Sequence, residues 1–295
     1  TIVEGMQPSK MTGYHWRLLV FLSVATFFEG YDFMALTQIL PQVRAEFGLS
    51  PALAGLLIGV VNAGTVVAYL LVRKADRWGR RRVLMVTIFG YTVFTFLTGL
   101  SFDVWSFGVF QFLARMFLIG EWATSMVYAA EEFPTAQRGT LIGVIQAFSS
   151  LGSIVCAGVV PLLLQAAWGW RTVYFVGIVP LLLLAFARRN LRETSRFEAL
   201  SAEGPLPAAR PMTYIWSTPY RKRLLQLAAV WALTYMCTQN AITFWKEFAL
   251  SERGWTDVDV GLAITIAAVA SMPLVFGAGK LLDVMGRRWG AVLIF

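Results

Sequence analysis

Four ionisable side chains lie inside long apolar stretches of this sequence: Glu29, Asp32, Arg115 and Glu121. A charge in a low-dielectric environment is costly, so each of them needs a charged partner or a water-filled cavity. Carboxyl groups in such places can take up and release a proton, and an arginine can bind a carboxylate through two parallel hydrogen bonds. The residue types therefore predict reversible protonation and anion binding.

The spacing of these residues predicts which of them face one another. Glu29 and Asp32 are one turn apart on nearly the same face of a helix. At a rise of about 1.5 Å per residue, Asp32 and Arg115 each lie about 14–15 Å from the end of their helix on the same side of the molecule, so they are at the same depth. Glu121 lies deeper than Arg115 and about 120° further around the same helix. We therefore expect Arg115 to face Glu29 and Asp32. A bound carboxylate that engages Arg115 would free Asp32 to take up a proton; a permanent buried ion pair is the alternative.

The stretches that hold these residues are long enough to cross a lipid bilayer, which takes about 20 apolar residues in a helix. The chain is 57% hydrophobic and only 14% charged. Backbone groups in lipid must be paired within their own segment, so the stretches are predicted to be helices. They cover residues 17–40, 52–72, 83–101, 105–130, 140–166, 171–187, 224–248 and 259–279, and a ninth begins near Trp289. We expect the natural protein to extend beyond both ends of this sequence.

Positive charge is concentrated in alternate loops between these stretches. Among the 25 Lys and Arg residues, Arg44, Arg171, Lys246 and Arg253 fall in the opposite loops, and Arg115 alone lies deep in a stretch. Basic loops stay on the cytoplasmic side of a membrane. The pattern predicts a multi-pass protein of the inner or plasma membrane with a cytoplasmic N-terminus. It also removes the case for a nucleic-acid partner that a net charge of +8 would suggest.

One basic motif occurs twice. VRKADRWGRRR at residues 72–82 is similar to GKLLDVMGRRW at residues 279–289, which indicates two copies of one membrane unit in the same orientation. The segment between the copies that is rich in Pro and in charge is typical of a linker. We predict an N-terminal six-helix transmembrane bundle in residues 1–190, a cytoplasmic inter-bundle loop in 191–222 and part of a C-terminal bundle in 223–295.

The repeated motif resembles G-x-x-x-D-R-x-G-R-R, the cytoplasmic signature of the major facilitator superfamily of secondary transporters, although Val72 replaces the first glycine. Glu193-Thr-Ser-Arg196-Phe197 resembles a further family motif. The resemblance implies an all-α integral membrane protein with the major facilitator fold, two parallel six-helix bundles of which this chain would hold the second only in part. It also implies gating roles for residues at the cytoplasmic ends: Asp76, Arg77, Gly79, Arg80, Glu131, Arg138, Gly279, Asp283, Gly286 and Arg287.

Two shorter stretches resemble particular branches of that family. Glu29-Gly30-Tyr31-Asp32 is similar to the first-helix D-G-x-D of aromatic-acid proton symporters, and Ile119-Gly120-Glu121-Trp122 to the fourth-helix G-G-E-W of metabolite and sialic-acid proton symporters. We predict proton coupling by Asp32, Glu29 and Glu121. Substrate binding is assigned to Arg115, Tyr31, Trp122, Gln146, Gln239 and Asn240, with helix packing as the alternative role of Gln146.

The sequence thus predicts a monomeric, proton-driven importer of a small carboxylated metabolite that needs no cofactor besides the proton gradient. The sequence has one His, no metal-ligand cluster and no phosphate-binding loop, so we do not expect an enzyme. A facilitative or proton-coupled sugar porter and a drug/proton antiporter are alternatives; a facilitative porter would not need Asp32, and an antiporter would favour a cavity without Arg115. A non-transporting receptor or scaffold on the same fold would tolerate loss of the buried charges.

Overall fold

The computed structural model describes residues 11–134, 137–188, 191–202, 212–267 and 269–270. Every regular element in this part of the chain is a helix, as predicted. The helices are α1 (Gly13–Phe47), α2 (Pro51–Trp78), α3 (Arg80–Gly99), α4 (Val104–Glu132), α5 (Arg138–Leu163), α6 (Arg171–Arg188), α7 (Ser195–Ala202), a 3-10 helix (Met212–Ser217) and α8 (Arg221–Arg253). Residues 257–267 are helical as well.

Short polar junctions determine where several helices begin. Thr12, Ser50 and Asp103 precede α1, α2 and α4, and the side chain of each accepts a hydrogen bond from a backbone N–H in the first turn. These bonds satisfy donors that have no partner within the helix. Gly79 alone joins α2 to α3, with a φ of 90° that favours glycine. The basic ends of α2 and α3 are therefore held close together.

The first six helices pack on one another as a bundle. α1 lies along α5, α4 packs against both α2 and α3, and α6 packs on α3. The closest approach is between α1 and α5, where a Cβ on Gly152 would lie 1.9 Å from the Phe27 carbonyl oxygen and a Cβ on Gly30 1.9 Å from that of Ser149. Only glycine permits this crossing, which brings polar residues of α5 beside α1.

Four helices of the described part, α1, α2, α3 and α5, are long and apolar enough to cross a membrane by length and composition. Large apolar side chains such as Val66, Phe89 and Trp105 are exposed on the outside of the bundle. In α4, Arg115 and Glu121 lie in the middle of the helix and lower its hydropathy, and the helix ends in Glu131 and Glu132. The surface is suited to lipid, and the buried charges lie within the bundle.

Two parts of the chain differ from expectation. Lys246 was assigned to an outer loop; this was wrong, because α8 continues to Arg253 and buries Lys246 to 1% exposure. The segment 191–222, predicted as a loop, contains α7 and the 3-10 helix in its described residues. The start of this segment forms hydrogen bonds with the start of α3 and the end of α4.

Candidate functional site

Asp32 lies on α1 in the interior of the bundle, where it is only 6% exposed. Its carboxyl group interacts electrostatically with Arg115 of α4 and with Tyr91 of α3. The sequence predicted the first of these neighbours from depth alone. It gave no sign of Tyr91, because a tyrosine within an apolar helix has no feature that distinguishes a polar contact from packing.

Arg115 is buried as well, at 4% exposure. A close approach of α2 to α4 fixes its position, because a Cβ on Gly64 would lie 3.3 Å from the Cβ of Arg115. The guanidinium lies over the Phe33 ring, 5.3 Å from its centroid. In the described part of the chain, its Nε has no hydrogen-bond partner and no carboxylate lies within the 4.0 Å ion-pair distance. Arg115 and Asp32 therefore do not form a closed ion pair in this structure.

Glu29 lies one turn from Asp32 and is held from the other side, by α5. The Ser149 hydroxyl donates a hydrogen bond of 2.9 Å to its carboxylate, across the close α1–α5 crossing. The carboxyl group also interacts electrostatically with Arg115, Glu121 and Asp32. All four ionisable residues singled out in the sequence thus lie near one another. Sequence reasoning missed Ser149, since nothing in the sequence predicts which serine faces α1.

Glu121 is buried on α4, where it accepts a hydrogen bond of 2.9 Å from the Ser125 hydroxyl. The next residue, Trp122, donates from its indole Nε1 to the Gln146 side-chain oxygen at 3.1 Å. This bond links α4 to α5 and puts two predicted substrate-binding residues side by side. Tyr31, the residue before Asp32 on α1, is half-buried and interacts electrostatically with Asp32.

Two further predicted substrate-binding residues belong to α8. The backbone of Gln239 and Asn240 is helical, and their side chains lie outside the described part of the structure. The second copy of the basic motif, with Gly279, Asp283, Gly286 and Arg287, also lies outside the described residues.

A second group of charges lies at the predicted cytoplasmic end. The Arg80 guanidinium donates to Glu131 of α4 at 2.9 Å and to Asp76 of α2 at 3.0 Å. The two carboxylates differ in burial: the side chain of Glu131 is 7% exposed and that of Asp76 is 73% exposed. Glu131 is therefore the interior partner of Arg80, although the sequence drew attention first to Asp76.

The start of α3 is bound by a carboxylate from the segment after α6. Glu193 accepts hydrogen bonds from the backbone N–H groups of Arg80 at 2.8 Å and Arg81 at 3.2 Å. A carboxylate at this position satisfies free donors and complements the positive end of the helix dipole. Gly79 leaves room for it, since a Cβ there would lie 2.2 Å from a Glu193 oxygen.

Neighbouring hydroxyls extend this contact. Thr194 donates to Glu131 at 2.8 Å, and the Ser195 hydroxyl donates to Glu132 at 2.8 Å. We call Arg80, Glu131, Glu193 and Thr194 the cytoplasmic cluster, after the side of the membrane on which the sequence predicts them. It joins the ends of α3 and α4 to the segment that leads into α7. Of the remaining predicted gating residues, Arg77 is exposed on the last turn of α2, and the Arg138 side chain donates to the Phe133 carbonyl at 3.4 Å.

The chain is similar to known membrane proteins in sequence and in fold. A family model described as Major Facilitator Superfamily matches residues 22–295. The cis,cis-muconate transport protein of Acinetobacter baylyi is 28% identical, over 96% of this chain and 70% of that protein. The sialic acid transporter NanX of Escherichia coli is 30% identical, over 58% of this chain and 42% of that protein. A crystal structure of a D-xylose-proton symporter superposes with a TM-score of 0.72 at 16% identity, over 92% of this chain and 70% of that one.

Proposed function

The chain belongs to the Major Facilitator Superfamily of membrane transporters, and from this premise we propose that it imports a small carboxylated metabolite together with protons. The observation that carries the proposal is the buried Arg115 guanidinium, which has no ion-pair partner in the described residues although two carboxyl groups lie nearby. A muconate and a sialic acid transporter among the similar proteins support an organic acid as the substrate class.

Arg115 would bind the substrate carboxylate. Its planar guanidinium can donate two parallel hydrogen bonds, which a lysine cannot reproduce. A buried cation without a fixed partner is poorly compensated, so an anion that reaches it gains more than it would in water. Trp122 and Gln146, already joined by a hydrogen bond, would contact the rest of the molecule.

Asp32 and Glu29 would carry the proton. While no substrate is bound, the positive charge of Arg115 favours ionised carboxyl groups at both positions. A substrate carboxylate on Arg115 cancels that charge, so the uptake of a proton by Asp32 becomes favourable. Anion and proton then promote each other's binding, and the site becomes neutral before it changes the side to which it opens.

The cytoplasmic cluster would serve as the inner gate. Arg80 and Glu193 connect helix ends that must change their contacts when the inner side of a transporter opens or closes. We further propose that the protein acts as a monomer in the cell membrane, with its N-terminus and the 191–222 segment in the cytoplasm. The proton gradient supplies the driving force, so no cofactor is needed.

Uptake by the full-length protein in proteoliposomes tests proton coupling. A thermal-shift screen with muconate, benzoate and sialic acid first selects a probe, whose accumulation is followed under an imposed pH gradient. We expect Asp32→Asn to abolish accumulation above equilibrium, because the amide cannot take up a proton. The matched control is Asp103→Asn, since Asn caps a helix as well as Asp does. Unchanged accumulation in Asp32→Asn would refute proton coupling at this site.

Anion binding is tested separately with Arg115→Lys. This variant keeps the charge and loses the planar fork, so we expect the KM for the probe to rise roughly tenfold, the effect of losing about one charge-assisted hydrogen bond. The surface residue Arg171, paired with Glu46, provides the control Arg171→Lys. An unchanged KM in Arg115→Lys would place carboxylate binding elsewhere.

A further inference from the structure

The Phe33 ring of α1 lies against the buried guanidinium of Arg115, whose Cζ is 5.3 Å from the ring centroid. Arg115 is 4% exposed, so water compensates little of its charge. Among the described residues, no carboxylate lies within the 4.0 Å ion-pair distance to take the place of that water. The face of an aromatic ring attracts a cation, and more strongly where water is excluded. Phe33 therefore supplies part of the compensation that no carboxylate supplies here.

Phe33 differs from its neighbours on α1 in what it contacts. Tyr31 and Met34 pack against one buried apolar cluster, and Phe28 packs against another. In the described part of the chain, Phe33 belongs to none of the apolar clusters and is half-buried. The contact that the structure shows for its ring is the one with Arg115. Packing of the apolar core alone does not explain a phenylalanine at this position.

The base of the arginine side chain is fixed from another direction, by α2. A Cβ on Gly64 would lie 2.5 Å from the Phe112 carbonyl oxygen and 3.3 Å from the Cβ of Arg115. Backbone packing between α2 and α4 therefore determines where the side chain of Arg115 begins. Its remaining freedom lies in the torsions of its long side chain. The Phe33 ring restricts these torsions at the far end.

A ring restrains an arginine without occupying its hydrogen-bond donors. The guanidinium has five N–H donors in one plane, and a carboxylate accepts from two of them side by side. The Nε of Arg115 has no hydrogen-bond partner in the described residues. Asp32, which precedes Phe33 on α1, attracts Arg115 and would occupy its donors in a closed ion pair. Consecutive side chains on a helix point about 100° apart, so a guanidinium held over Phe33 is held off the Asp32 carboxylate.

We propose that Phe33 is a positioning residue for anion binding: its ring holds the Arg115 guanidinium off Asp32, with N–H donors free for the substrate carboxylate. This inference rests on the proposed function and names the group that keeps the anion site open. Without the ring, Arg115 closes onto Asp32. The substrate must then break that ion pair to bind, and Asp32 must leave it to take up a proton.

The experiment replaces Phe33 of the full-length protein with mono-, di- and trifluorinated phenylalanine, introduced by suppression of a stop codon. Each fluorine draws electron density from the ring face and changes the size of the ring little, so the attraction for a cation falls. Uptake in proteoliposomes is followed with the probe that the thermal-shift screen selects among muconate, benzoate and sialic acid. We expect the KM to rise stepwise, roughly 5- to 10-fold for the trifluorinated ring, with kcat changed less than about twofold. The pH of half-maximal uptake should fall, because the closed ion pair must open before Asp32 takes up a proton.

Two further variants separate this role from packing. Phe33→Leu removes the ring and keeps an apolar side chain, so its KM should rise as far as that of the trifluorinated ring. Phe89, which is 66% exposed on the outside of the bundle, provides the matched control: its trifluorinated form should keep the KM and the pH profile of the parent. A high KM in Phe33→Leu with no change along the fluorinated series would show that the ring acts through its shape, and the proposal would be overturned.

A stability measurement distinguishes this proposal from the proposed function. In detergent without substrate, the trifluorinated ring at Phe33 should lower the melting temperature of the parent and leave that of Arg115→Met unchanged, because the cation is gone. Equal effects in the two backgrounds would overturn the contact itself. If the backgrounds differ but the KM stays constant along the fluorinated series, the positioning role is wrong. If they differ and Arg115→Lys has an unchanged KM, the proposed function fails and the positioning role with it, while the contact stands.

Discussion

At the scale of single residues, burial determines which of two carboxylates compensates the charge of Arg80 more strongly. Arg80 binds both Asp76 and Glu131 at nearly equal distances. Water surrounds Asp76, so its attraction to Arg80 is weak and is offset by the ordering of both side chains. Glu131 is enclosed, and its loss would leave Arg80 with too little compensation for its buried charge.

This difference predicts unequal effects of two equivalent substitutions. Glu131→Gln should lower the free energy of unfolding by about 3 kcal/mol, as expected when one partner of a buried pair is removed. Asp76→Asn should change it by no more than about 0.5 kcal/mol. Thermal or denaturant unfolding of the two purified variants in detergent measures both. Equal losses would show that burial does not govern this network.

The central site shows what can and what cannot be predicted by counting residues along a helix. The depth of Asp32 and Arg115 follows from counting residues along helices, and the structure does place them within interaction range. Whether they touch does not follow from counting. It depends on the rotation of α1 and α4, which packing at Gly30 and Gly64 fixes.

At the scale of helices, the α1–α5 crossing positions the site. Gly152 and Gly30 allow the two backbones to meet, and Ser149, near that crossing, binds Glu29 at 2.9 Å. A larger residue at the crossing must push α5 away from α1. The hydrogen bond to Glu29 would then lengthen even though neither of its partners had changed.

We therefore expect Gly152→Ala to lower the free energy of unfolding by about 1–3 kcal/mol, the usual cost of overpacking a tight contact. Uptake should fall as well, because Glu29 loses its support. Gly158→Ala, on the same helix with no atom within 4 Å of the new Cβ, should keep or slightly raise stability, since alanine favours the helix more than glycine does. Melting temperatures in detergent provide the comparison; similar values for both variants would argue against a steric role for Gly152.

At the scale of the whole molecule, the distribution of charge and of contacts defines two ends. The cytoplasmic cluster joins α3 and α4 to the segment before α7 at one end, and the hydrogen bond from Lys246 to the Gln38 carbonyl joins α8 to α1 at the other. The central site lies between them. The two ends differ, because the cytoplasmic cluster lies within the first six helices and the segment that follows them, whereas the contact of Lys246 with Gln38 joins α8 to α1.

The orientation of the whole molecule is open to a direct test. Ala202 on α7 and Ala167 between α5 and α6 are both exposed, and basic loops predict that they lie on opposite sides of the membrane. In a cysteine-free background, Ala202→Cys should react with an impermeant thiol reagent only in inside-out vesicles, and Ala167→Cys only in intact cells. The reverse pattern would contradict a cytoplasmic N-terminus.

The sequence by itself determined the helical class, the family and the charged residues of the central site, because these depend on composition and on motifs that are local in the chain. Only the tertiary structure decided the partners: Ser149 for Glu29, Glu131 for Arg80, Glu193 for the start of α3, and Gln38 for a lysine that the sequence had placed in a loop. Hydrophobicity and helical periodicity are properties of single segments. The choice of a hydrogen-bond partner depends on how segments far apart in sequence rotate and pack, which no local pattern encodes.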